Sequence, residues 1–185
     1  MACAEQEKGF PRGVRQGVKN YPVEFFGVPR SGRTLIVGSK LYDGVEDRRR
    51  LYHDAVGVDM EDGDGVDILH NMEDAPLAER FAHVECISVL EHSPRPGLAA
   101  RNIEESMQIG GTLWLSVPFI WRVHGYPSDY WRFTIEAVRS IFTRIEWAGL
   151  EYCSDGLIVK RPRRINHDGL LFLGKTEIIG VGVRC

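Results

Sequence analysis

The chain has 185 residues, enough for roughly one domain that buries its own core without disulfides or metal. Hydrophobic residues make up 43% and charged residues 26%, which excludes a largely disordered chain. The formal net charge of -3 provides no global basic field, so nucleic acid is not expected as a partner. No apolar stretch approaches the roughly 18 residues of a membrane span. Met1 to Phe10 is polar and acidic, unlike a signal peptide with its apolar middle, and a cytoplasmic protein is expected. Cys3, Cys86, Cys153 and Cys185 form no C-x-x-C pair, so reduced thiols are expected rather than a disulfide framework or structural zinc.

Residues 1–32 read as an N-terminal arm, rich in glycine and proline, with one short helical turn near Val14 to Val18. Regular structure starts at Thr34, where Thr34-Leu35-Ile36-Val37 is a short apolar run closed by Gly38, the pattern of a buried strand. A short helix is predicted from Glu46 to Tyr52, with Arg48, Arg49 and Arg50 on a solvated face. Ala55 to Asp59 is a second strand ending on a carboxylate, Gly63 and Gly65 turn the chain, and Val66 to Leu69 is a third strand. His83 to Leu90 is a fourth. Pro94, Pro96 and Gly97 then break the chain before a helix from about Leu98 to Gln108, with Ala99, Ile103 and Met107 on one face and Gly110-Gly111 as its stop. Thr112 to Val117 is a fifth strand, followed by an aromatic, proline-containing loop to Phe133. Thr134 caps a helix to about Phe142, with Glu136 in its first turn. Glu146 to Tyr152 and Thr176 to Val183 are final strands, predicted to pair like a hairpin at one sheet edge across a link carrying the basic run Lys160-Arg161-Pro162-Arg163-Arg164. Strands alternating with helices imply an α/β fold: an open, mostly parallel sheet flanked by helices, with an antiparallel strand at one edge.

Ligands of such sheets bind at the carboxyl ends of the strands. Gly38 and Ser39 follow the first strand, Asp59 ends the second, Asn71 follows the third and Ser88 to His92 end the fourth. A glycine there permits close approach to the backbone, and a carboxylate ending the second strand can accept both hydroxyls of a ribose. The pattern favours a nucleoside-containing ligand. Neither G-x-G-x-x-G nor G-x-x-x-x-G-K-[ST] is present, which argues against a dinucleotide or a triphosphate. A nicotinamide-dependent oxidoreductase is accordingly disfavoured. No His, Asp, Glu, Cys set has metal-ligand spacing, so no metal is assigned; His70 and His83 read as structural or exposed.

Leu35 to Gly44 (LIVGSKLYDG), Val56 to Met60 (VGVDM) and Gly65 to Ile68 (GVDI) resemble the class I S-adenosylmethionine-dependent methyltransferases, in particular their small type-11 bacterial or phage-type members. Ser88 to His92 (SVLEH), Gly110 to Leu113 (GGTL), Ser116 to Phe119 (SVPF) and His124 to Thr134 (HGYPSDYWRFT) continue the likeness in the family's order over about residues 33 to 145. The resemblance implies a single Rossmann-like methyltransferase domain over residues 33–185, with S-adenosyl-L-methionine as cofactor. Carried over by position, Gly38, Ser39 and Gly44 would shape the methionine-side loop. Asp59 would bind the ribose hydroxyls and Met60 would pack on the adenine. Asn71 and Met72 would flank the adenine edge, and Ser88 would contact the cofactor. The sequence departs from the family pattern at Ile36, where an acidic residue is common, at Lys40, where glycine is common, and at Asn71, where a carboxylate is common.

On the acceptor side, His124 and His92 are the candidate catalytic bases, their ordinary pKa lying near neutrality. Trp121, Tyr126, Asp129 and Tyr130 are candidate substrate contacts; for Asp129 a pair with Arg132 that fixes the loop is the favoured role, and Glu91 could be a strand-end carboxylate or a capping, solvated one. Trp131 and Phe133 read as loop anchors. By analogy with the family, the acceptor is a small molecule or a glycan-type hydroxyl, enclosed by the N-terminal arm, the 118–133 loop and, if the protein is a homo-oligomer, a second subunit. The departures support an alternative: a degenerate methyltransferase-like binding or assembly module without catalytic activity.

Overall fold

The computed structural model describes residues 31–125, 127–154, 157–159 and 176–185; residues 1–30 of the N-terminal arm, Tyr126 and the basic run 160–164 lie outside these residues. Strands β1 (Thr34–Val37), β2 (Ala55–Asp59), β3 (Ile68–Leu69), β4 (Phe81–Ile87), β5 (Met107–Ile120), β6 (Ile145–Ser154), β7 (Leu157–Val159) and β8 (Thr176–Arg184) form a sheet of order β3-β2-β1-β4-β5-β8-β6-β7. β1 pairs in parallel with β2 and β4, β2 with β3, and β4 with β5. β8 runs antiparallel between β5 and β6, and β7 adds an antiparallel strand at the edge. β6 and β8 thus pair as the sequence implies, although β8 lies inside the sheet because its Ile178 and Ile179 are fully buried.

Two helices, α1 (Pro96–Glu105) and α2 (Ile135–Ile141), connect β4 to β5 and β5 to β6. Alternation along the central strands sorts the core. Leu35 and Val37, Val84 and Cys86, and Leu113 and Leu115 share the main core with Ala99, Ala100 and Ile103 of α1 and Val138 of α2. The intervening Ile36 and Trp114 point to the opposite face, where they pack with Tyr52. Glu85 occupies the same face of β4, fully buried. Its carboxylate accepts hydrogen bonds from the Arg48 guanidinium and the Tyr52 hydroxyl.

That ion pair revises the reading of the arginine run. The segment expected as a helix over 46–52 is a 3₁₀ turn, Arg48–Leu51, capped by the Asp47 side chain accepting from Arg49 N. Arg49 bridges Asp47 and Asp67 at 2.8 Å each, so only Arg50 has the solvated character expected of all three. The helix expected over 98–108 instead begins with Pro96 at its first turn and ends at Glu105. Ser106 stops it: its hydroxyl donates to Asn102 O and accepts from Leu77 N, while its carbonyl accepts from Phe81 N. Met107 is thereby drawn into the sheet, and Gly110-Gly111, expected as a helix stop, lies within β5 where the register against β4 shifts; Gly110 adopts φ 78°. Thr134 caps α2 as expected, accepting from Ala137 N at 3.1 Å.

Candidate functional site

A cavity of about 440 Å³ opens at the carboxyl ends of β1, β2 and β4, where the strand order reverses between β1 and β4. Its walls come from three backbone devices. Gly38 leaves β1 with φ 73°, and a Cβ there would stand 2.5 Å from Val89 Cγ2. Gly38 N and Ser39 N both donate to Val58 O, at 2.9 and 3.2 Å, which turns the chain over the end of β2. Ser88, after β4, holds φ 51°, a left-handed conformation rare outside glycine and supported by Ser88 N donating to Ser116 O at 2.9 Å.

Asp59 stands at the end of β2 with its two carboxylate oxygens anchored separately. Oδ2 accepts from Lys40 N and Oδ1 from Glu61 N, each at 3.0 Å. Each oxygen keeps a further acceptor lone pair, and Asp59 lines the cavity. Met60, half exposed, and Met72, buried, contribute apolar surface to the same cavity. Asn71 lines it too, but its amide oxygen already accepts from Glu73 N at 2.9 Å in a local turn. Lys40 enters the cavity and pairs with Glu61 at 2.7 Å. Its ammonium lies 5.6 Å from the Tyr42 ring.

Of the expected cofactor residues, the fold brings Gly38, Asp59, Met60, Asn71, Met72 and Ser88 to the cavity. It places two elsewhere. Ser39 is buried behind the wall, its hydroxyl beside Gly57, and Gly44 lies in the adjoining loop, whose Tyr42, Asp43 and Val45 are the lining residues. His70, expected to be structural or exposed, also lines the cavity, with Nε2 2.7 Å from Ala75 O. Glu61, Glu73 and Ser93 line it as well and had no sequence signal.

The loop after β5 folds back over the end of β4. Tyr130 N donates to Glu91 O at 2.7 Å, Trp131 Nε1 to Ser93 O at 2.9 Å, and Phe133 N to Pro118 O at 2.9 Å. Phe133 is buried as an anchor. Asp129 organises the loop: its carboxylate accepts from the Arg132 guanidinium at 2.5 and 2.8 Å and from His124 N at 2.8 Å. The Arg132 hydrogen bonds hold the Asp129 carboxyl well below the usual carboxylate range, against its burial. Asp129 thus makes the loop-fixing pair with Arg132 that the sequence favours for it, and it does not line the cavity. Trp121 stacks edge-on to His124 at 6.4 Å and Tyr130 is half exposed; neither lines the cavity.

This fold-back brings His92 and His124 together, their rings 5.0 Å apart and nearly perpendicular, and both line the cavity. His92 Nδ1 lies 2.5 Å from Ser128 O. His124 Nδ1 lies 3.1 Å from Asp129 Oδ2 and 3.3 Å from Arg122 O. All of these partners are acceptors, which favours the Nδ1–H tautomer of each imidazole and leaves Nε2 as its acceptor atom. Both Nε2 atoms face Glu91 Oε1, at 3.8 and 3.9 Å. Glu91 is fully buried, and burial pushes its carboxyl up to about 7. The sequence offered no metal-ligand spacing, yet the fold gathers these three side chains, because His124 arrives from a distant loop.

No protein-family model matches the chain, and no curated protein sequence matches it. Solved structures do match in fold. The 1,6-didemethyltoxoflavin-N1-methyltransferase of Burkholderia thailandensis, crystallised with S-adenosylhomocysteine, is 13% identical, with 85% of this chain and 72% of that chain aligned at a TM-score of 0.60. The N-methyltransferase NodS from Bradyrhizobium japonicum, also with S-adenosylhomocysteine, is 12% identical over 82% of this chain and 77% of that one, TM-score 0.55. The sugar N-methyltransferase KedS8 from a Streptoalloteichus species is 16% identical over 82% and 79%, TM-score 0.54. The fold is that of the class I S-adenosylmethionine-dependent methyltransferases.

Proposed function

We propose that the protein is an S-adenosylmethionine-dependent methyltransferase whose acceptor is a small molecule or glycan, methylated at a hydroxyl. The observation that carries this reading is the convergence of Gly38, Asp59 and the strained Ser88 on one cavity that also holds His92 and His124. The residues present suit an adenosyl ligand. Gly38 turns the backbone into the cavity wall against Val89, Asp59 offers two acceptor oxygens to a ribose, and Met60, Met72 and Val89 offer apolar surface to a base. When bound, S-adenosylmethionine supplies an activated methyl group. The chain's own contribution is to align the acceptor and to handle its proton. His92 and His124 both line the cavity and are the imidazoles available to take that proton, with Asp129 holding the His124 backbone and lying 3.1 Å from its Nδ1.

The small-molecule and sugar acceptors named for the solved relatives support the substrate class, while their N-methylation makes an amine the competing acceptor to the hydroxyl. The Lys40–Glu61 pair inside the cavity favours a second reading, a binding or assembly module of the same fold. Titration calorimetry separates the two. The enzyme reading expects wild-type protein to bind S-adenosylhomocysteine with unit stoichiometry and Asp59→Ala to lose at least tenfold in affinity. Absence of wild-type binding, or an unchanged affinity in Asp59→Ala, overturns it. A screen of matched hydroxyl and amine acceptors with labelled methyl donor then decides between oxygen and nitrogen.

A further inference from the structure

Glu91 has no place in the reading so far. It sits in the 3₁₀ turn Leu90–His92 with no exposed surface, and neither carboxylate oxygen has a hydrogen-bond partner among the described residues. A buried carboxylate without partners is costly and rare. Its charged surroundings are the buried Glu177 carboxylate, Asp129, whose charge is met by Arg132, and two imidazoles that stop short of it. The separations of 3.8 and 3.9 Å from His92 Nε2 and His124 Nε2 are too long for hydrogen bonds.

We propose that Glu91, His92 and His124 form a three-ligand site for a divalent first-row transition-metal ion such as Zn²⁺, with its open coordination position toward the cavity. One donor atom from each residue lies within 4.8 Å of the other two. Donors around a tetrahedral Zn²⁺ stand about 3.3–3.5 Å apart, so closure by roughly 0.5–1.5 Å, a side-chain adjustment, completes the site. Both rings are already in the tautomer a metal requires. His92 Nδ1 is hydrogen-bonded to Ser128 O and His124 Nδ1 to Arg122 O, with the Asp129 carboxylate 3.1 Å from the same His124 nitrogen, the kind of arrangement that orients ligating imidazoles and raises their basicity. Two nitrogens and one carboxylate select a transition metal over Mg²⁺ or Ca²⁺, which prefer all-oxygen shells. Three protein ligands with one open position is the pattern of a catalytic rather than a structural site.

Metal binding is independent of methyl transfer, whereas the role of the ion rests on the reading above. There it deepens the assignment of the two histidines: they would hold an ion that binds the acceptor hydroxyl and lowers its pKa, the hydroxyl proton passing to solvent water at the open mouth of the cavity instead of to an imidazole.

The test uses the full chain after dialysis against EDTA, titrated with Zn²⁺ by calorimetry and with Co²⁺ by visible absorption. The expected result is one equivalent bound, with d–d bands of low coordination number and no thiolate charge-transfer band. Glu91→Gln and His124→Asn should each weaken binding at least tenfold and abolish the bands, and Asp129→Asn should weaken it about tenfold through His124. His124 is partly exposed, so His124→Asn remains informative if the Glu91 variant does not fold. Absence of stoichiometric uptake, unchanged binding in His124→Asn, or thiolate bands overturns the proposal. Uptake of Co²⁺ without binding of S-adenosylhomocysteine would refute the methyltransferase reading alone, and the converse would refute the metal site alone.

Discussion

At the scale of single residues, the site depends on two backbone positions with positive φ. Gly38 is one that sequence reasoning reaches, because a glycine directly after the first strand of an open sheet has a stated purpose. In the structure glycine is required there by its φ of 73° and by Val89, which fills the place a Cβ would take. A methyl group at Gly38 would meet Val89 Cγ2 and add roughly 1–2 kcal/mol of left-handed backbone cost. Gly38→Ala is therefore expected to lower the melting temperature by several degrees and to weaken S-adenosylhomocysteine at least tenfold. Thermal melts and calorimetry check both, and an unchanged affinity would remove Gly38 from the binding surface. Ser88 was expected as a cofactor contact, but its left-handed backbone carries no sequence signal, since serine gives no hint of positive φ. Glu91 is harder still. Within SVLEH it reads equally as a capping carboxylate, and only the return of the 121–133 loop over it, through Tyr130 N, encloses it.

At the scale of elements, the apolar runs Thr34–Val37 and Ala55–Asp59 announced their strands to the residue, because both faces of a central parallel strand are buried. The segments that were misread are those where side-chain partners decide. Propensity makes Glu46 to Tyr52 helical, yet Arg48 must reach Glu85 on β4 while Arg49 reaches Asp67, and a tight 3₁₀ turn satisfies both. The same ion pair yields a prediction. Glu85 is fully buried, so Arg48→Ala leaves it with the Tyr52 hydroxyl as its remaining partner in the pair described above. Removing one member of a buried pair costs about 3–5 kcal/mol. Arg48→Ala should lose that much in urea unfolding, and Arg48→Met with Glu85→Leu together should recover most of it. A loss below about 1 kcal/mol in Arg48→Ala would mean the pair is hydrated rather than buried.

At the scale of the whole molecule, carboxylates tie the connections around the cavity to the sheet, and the same links set how the fold responds to acid. Glu73 follows β3 and is buried. Its oxygens accept from the Ser93 hydroxyl at 2.5 Å and from Arg95 Nε at 2.8 Å, which ties the β3–β4 connection to the start of α1 across the cavity. Burial alone would raise the Glu73 carboxyl, but the Ser93 and Arg95 hydrogen bonds more than offset it and leave it below its ordinary value of 4.5. Asp67 is lowered in the same sense: burial opposes, while Gly57 N and Arg49 prevail. A carboxyl whose pKa is lower in the folded than in the unfolded chain stabilises the fold fully above the unfolded value. That contribution is lost as pH falls through 4.5 toward the folded value. Glu73→Gln removes the charge while keeping the shape, so it should cost about 1–3 kcal/mol at pH 7. The gap between wild type and Glu73→Gln should then close progressively below about pH 4.5, as the wild-type carboxyl takes up its proton. Urea unfolding of both proteins from pH 7 to pH 3 measures the gap directly. A gap that stays constant on acidification would assign the loss to packing at the β3–β4 connection, and a gap that widens would reverse the sign argued for Glu73.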